Sequence, residues 1–175
     1  MKPAIRFERP HVEGDTFRRM AVAESGGRYR FKLLRDFVYI YNFDLFPANI
    51  QVSFRDEHDR EWMRMTRRTK VVREGYAWNG NSWKRGIRVF GKDVWLGTPD
   101  THPGTLEASG GHDPDFQFAH CEHFPLTWSQ CNYHYLLLAQ ANKYRLANLF
   151  HGALEDASRP AWESAEKNPV HSIVL

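Results

Sequence analysis

The pattern of apolar and polar positions changes twice along the chain. Arg28-Tyr29-Arg30-Phe31-Lys32-Leu33 alternates charged and apolar residues, the period of a strand with one wet face. Phe37 to Phe43 is β-branched and aromatic and suits a more fully buried strand. Ile50 to Arg55 alternates again and, after the polar turn Asp56-Glu57-His58-Asp59, so does Glu61 to Arg67, which predicts a hairpin. Lys70-Val71-Val72-Arg73 predicts a further strand. From Tyr76 to Gly111 the text is rich in Gly, Pro and Trp and predicts a long loop, with room for one short strand between Gly86 and Trp95.

The period then becomes helical. Trp128, Cys131, Tyr135, Leu138 and Ala139 share one face, with Thr127 or Ser129 as the cap. A second helix runs through Leu146, Leu149, Phe150, Ala153 and Leu154 and stops before Pro160. Val170 to Leu175 reads as an arm or a terminal strand. The expected class is α+β in a single domain over 1–175. A β-rich part (1–75) holds an N-terminal antiparallel sheet of meanders and hairpins. A long loop (76–111), a helix pair (112–160) and a C-terminal arm (161–175) follow.

Composition adds a charge split. The 175 residues sum to a formal charge of +3. Residues 1–92 carry 20 Lys and Arg against 11 Asp and Glu, whereas 93–175 carry 4 against 10. Arg and Lys on the wet face of a sheet account for much of the basic half without nucleic acid. The hydrophobic fraction of 42% is enough for a core and argues against wholesale disorder. No run of about 18 apolar residues predicts a membrane span, and the first ten residues do not read as a secretory signal. Cys121 and Cys131 are then expected as free thiols of a protein made in the cytoplasm, although ten residues of separation also permit a disulfide.

An ordered series of motifs carries a resemblance. Glu74-Gly75-Tyr76-Ala77-Trp78-Asn79-Gly80-Asn81-Ser82 is followed by Gly97-Thr98-Pro99-Asp100, Ala108-Ser109, His112-Asp113 and two helical patterns. The stretch from Gly75 to Leu154 resembles a family of short uncharacterised phage and prophage proteins. That family carries Gly-Tyr-x-Trp-Asp-Gly-x-Ser, Gly-Thr-Pro-Asp and Ala-Ser-x-x-His-Asp-x-x-Tyr, the last on a helix. The resemblance implies a phage or prophage origin. Against it, Asn79 replaces an Asp, Asn132 stands where an acidic residue faces the dyad, and Trp128 stands where a basic one is common. Gly110, Gly111 and Pro114 are expected to break the motif helix, with Asp113 capping a new one that starts at Pro114.

Several constellations offer chemistry. A His–Asp pair with a carboxylate from the next helix resembles the arrangement in calcium-dependent secreted phospholipases, His112 activating water and Asp113 holding metal. The competing reading is a helix cap beside a packed imidazole. Cys121, His123, Cys131 and His134 are zinc-type ligands, although one intervening residue between the first two is poor spacing and Cys131 falls on the apolar stripe. Trp62, Trp78, Trp83, Arg85 and Trp95 are either core plugs or interface anchors. Basic text near Trp62 (Arg64, Arg67, Arg68, Lys70) offers phosphate contacts.

The expectation is a non-enzymatic virion structural protein of the tail, neck or capsid, made in the bacterial host and needing no cofactor. Its partners would be other virion proteins or copies of itself. Metal-assisted hydrolysis of host envelope material and nucleic-acid binding are the alternatives.

Overall fold

The computed structural model describes residues 5–7, 22–24, 31–78, 84–89, 92–97 and 103–175. The fold is α+β, as the periodicities predict. Antiparallel sheets occupy the N-terminal part, and the helices lie in the C-terminal half.

The strands are β1 (Ile5–Phe7), β2 (Val22–Glu24), β3 (Phe31–Leu33), β4 (Phe37–Tyr41), β5 (Val52–Asp56), β6 (Glu61–Met65), β7 (Thr69–Val72), β8 (Ala77–Trp78), β9 (Lys84–Val89) and β10 (Lys92–Gly97). Four helices follow, α1 (Pro103–Gln117), α2 (Trp128–Ala141), α3 (Ala147–Ala157) and α4 (Arg159–Ser164), then strand β11 (Val170–Val174). One six-stranded sheet runs in the order β1-β4-β7-β6-β5-β11. The strands β2-β3-β8 form a second sheet and β9-β10 a hairpin.

The predicted hairpin is β5–β6, with Val52 opposite Met65 and Phe54 opposite Met63. Its turn is held by the Asp56 carboxylate, which accepts the N–H groups of His58 and Arg60, while Asp59 takes the left-handed conformation at φ 62°. Alternation puts Phe37, Tyr39, Tyr41, Val52, Phe54, Met63, Met65 and Val72 inside. Lys70 shares this inner face, since it lies two residues before Val72.

Three expectations are corrected. The segment 76–111 is not one loop, because it contains β8, the β9–β10 hairpin and the first half of α1. Gly110, Gly111 and Pro114 do not break a helix, nor does Asp113 cap a new one: α1 is continuous with Pro114 inside it. The helical part is also more than a pair. Pro160 ends nothing but opens α4, where a missing N–H is harmless. The terminal segment beyond α4 enters the large sheet as β11, paired with β5.

Candidate functional site

The motif helix α1 is buried although it is polar. Thr105, Glu107, Ser109, His112 and Asp115 are all buried on it, and two consecutive glycines bring its backbone close to its neighbours. A β-carbon on Gly111 would lie 2.7 Å from Tyr39 Oη and 2.8 Å from Leu138 Cδ1, so only glycine lets α1 wedge between β4 and α2. Trp78 Nε1 donates to Ser109 Oγ at 3.1 Å, and Tyr39 Oη donates to the Glu107 carbonyl at 3.4 Å. These contacts tie the helix to both sheets.

The strongest tie is ionic. Lys70 Nζ donates to Asp115 Oδ2 at 2.7 Å and to the Gly111 carbonyl at 2.8 Å, and neither charged side chain is exposed. Burial pushes the Asp115 carboxyl up, but the charge of Lys70 and the His134 imidazole more than offset it and hold the group below the ordinary range. His134 Nδ1 lies 3.9 Å from Asp115 Oδ2, and its ring stands 5.0 Å from that of Tyr41. Burial depresses the His134 pKa, with Asp115 opposing. Asp115 Oδ1, His134 Nδ1 and Tyr41 Oη have no hydrogen-bond partner among the described residues.

The predicted dyad sits one step away along α1. His112 is buried, packs against Phe116 and Tyr135, and shares a 2.9 Å hydrogen bond between Nε2 and Asn132 Oδ1. Asn132 Nδ2 in turn donates to Ser158 Oγ at 3.3 Å, and Trp128 Nε1 reaches the same oxygen at 2.9 Å. Asn132 and Trp128 therefore meet at Ser158, in a hydrogen-bonded chain joining α1, α2 and the α3–α4 junction. Asp113 lies 3.9 Å from His112 Nδ1 at the rim, with 28% of its side chain exposed. Desolvation raises its carboxyl, partly opposed by His112.

The zinc-type set does not converge. No group of three or more His, Cys, Asp or Glu among the described residues is arranged to hold a metal ion. His134 faces Asp115, Cys131 packs among Val52, Phe54 and Met63, and His123 lies near β11, its backbone N–H donating to Ser172 Oγ. Burial pushes the Cys121 thiol up to about 11 and the Cys131 thiol further, which disfavours the thiolate a metal needs. Both cysteines are free.

Of the tryptophans, Trp78 is a core residue at 2% exposure, so it cannot anchor an interface. Trp62 is half-buried, donates to Asp56 Oδ2 at 2.6 Å and carries the Arg60 guanidinium on its face. Trp83 lies outside the described residues. Arg85 and Trp95 occupy the β9–β10 hairpin, opposite Leu96 and Gly86 respectively.

Among the described residues, several arginines of the basic half are paired with carboxylates. Glu61 joins Arg64 and Arg73, Asp44 joins Arg67 and Arg68, and Asp36 takes Arg73 as well. No protein-family profile matches the chain, and no curated protein or solved structure is significantly similar to it.

Proposed function

We propose that the chain is a non-enzymatic structural component of a bacteriophage particle, working through protein–protein contacts. One observation carries the reading. Two polar residues of the phage-like motif series help hold α1 in place, Ser109 through Trp78 and His112 through Asn132, and Asp115 on the same helix is held by Lys70. The His112 imidazole spends Nε2 on Asn132 and is only 8% exposed, which leaves a substrate little access to it. Here the ring is packed between two aromatic residues. Arg64, Arg67, Arg68 and Arg73, the basic stretch near Trp62, are already paired with carboxylates, which leaves that stretch fewer free charges for a phosphate backbone.

The test is mass spectrometry of purified virions from an induced host that carries the gene. The protein is expected at a fixed copy number per particle. Its absence from particles, with the protein free in the lysate, would overturn the proposal. Envelope hydrolysis by His112 and Asp113 draws on the rim position and raised carboxyl of Asp113. It predicts turnover of lipid or peptidoglycan that is lost in His112→Ala, and equal negligible turnover removes it.

A further inference from the structure

Among the described residues the large sheet ends on β11, and nothing pairs with its outer edge. Leu175 N–H bonds to the Gln51 carbonyl at 2.9 Å, in register with Ile173 opposite Ser53 and His171 opposite Arg55. The backbone groups of residues 171, 173 and 175 therefore face β5, and those of Val170, Ser172 and Val174 face away. Val170 N–H turns back to the Asn168 carbonyl at 2.8 Å. The N–H and C=O groups of Ser172 and Val174, and the C=O of Val170, have no partner among the described residues.

An open edge is ordinarily blunted by lysine, proline or a bulge. This one has none over Val170-His171-Ser172-Ile173-Val174, and its only titratable residue, His171, is held by Asp59 at 3.2 Å. Ile173, Val174 and Leu175 are among the few large apolar residues exposed on the described surface.

We propose that β11 pairs with β11 of a second copy, antiparallel about a two-fold axis at Ser172. In that register Ser172 faces its own copy, Val170 faces Val174 and His171 faces Ile173. The outward groups other than the Val174 carbonyl then satisfy one another: two Ser172–Ser172 bonds, and two from a Val174 N–H to a Val170 carbonyl. No like charges meet on either face. The result is one continuous sheet through both copies. An interface built on so short a strand falls below the ~1,600 Å² of a standard complex, so the dimer dissociates on dilution.

The inference rests on the assembly reading and names one of its partners. Sedimentation velocity between about 1 and 100 μM is the test, on wild type, Val174→Pro and the control Leu149→Ser. Proline at 174 deletes an N–H that points away from β5, and edge strands accept it there. Wild type and Leu149→Ser are expected to reach the mass of two chains, and Val174→Pro to stay at one while keeping its circular dichroism spectrum. If Val174→Pro does not fold, Ile173→Lys places a charge beside the axis and gives the same readout. A monomeric wild type at about 100 μM, or a dimer untouched by both substitutions, overturns the pairing. Neither result bears on whether the protein is found in virions, so the two proposals fail separately.

Discussion

Lys70→Met removes the only charge that faces Asp115 at hydrogen-bond distance while keeping most of the side-chain volume. In the native protein the ammonium lies 2.7 Å from the carboxylate, both groups fully buried, and 4.9 Å from the centre of the Tyr39 ring. The variant leaves a carboxylate in the core whose second oxygen already has no partner among the described residues. Breaking a buried pair from one side costs about 3–5 kcal/mol, a large part of the roughly 5–15 kcal/mol by which a domain is stable. Replacing both charges, as in Lys70→Met with Asp115→Leu, is expected to be near neutral, because neither ion is then desolvated. Urea unfolding followed by circular dichroism and tryptophan fluorescence gives both numbers. The pH dependence supplies a further check. In the wild type Asp115 contributes stability above the unfolded value of 3.8, which is lost as pH falls through its lower folded value. Without Lys70, burial is opposed only by His134 and that value rises, so the deficit of the single variant shrinks as pH approaches 4. A single variant within about 1 kcal/mol of wild type, or a double variant no better than the single, refutes the reasoning.

Tyr41→Phe deletes a buried hydroxyl with no partner among the described residues and is expected to be neutral or to stabilise by about 1 kcal/mol, read by the same unfolding curves. Gly111→Ala forces a methyl against Tyr39 and Leu138 and should cost about 1–3 kcal/mol despite better helix propensity. Gly152→Ala on α3 meets nothing within 4 Å and should gain about 0.5–1 kcal/mol. His134 titrates below 6.5 in the fold, so its contribution is complete above that pH and declines as the unfolded chain takes up the proton first. His134→Gln should flatten the stability profile between about pH 6.5 and 5, and an unchanged slope would contradict the burial of the ring.

The strands of the first half were legible because each has one apolar face, and period-two text reports that directly. The hairpin β5–β6 and the Thr127 cap of α2, with Gln130 completing the capping box, were visible for the same local reason. Helix α1 was not. Its buried residues are mostly polar or glycine (Thr105, Glu107, Ser109, Gly111, His112, Asp115) with only Ala108 and Phe116 as buried hydrophobics, too few for a legible apolar stripe. Gly111, which reads as a breaker, is there for close packing, and Pro114 is carried inside the continuous helix. Lys70 was assigned to the wet surface by its charge, although strand parity with Val72 already placed it inside. Its partner Asp115 could be found only by knowing which helix covers β7, a fact of tertiary structure alone.

The order of strands also dictates an order of events in folding. The hairpins β5–β6 and β6–β7 join near neighbours in the sequence and can form within microseconds. Strand β11 reaches β5 only after four helices have been laid down between them, so it carries the longest loop-closure penalty in the large sheet. Until it docks, the outer edge of β5 is bare. Copies that meet before that docking are therefore exposed to mispairing through the unfinished sheet.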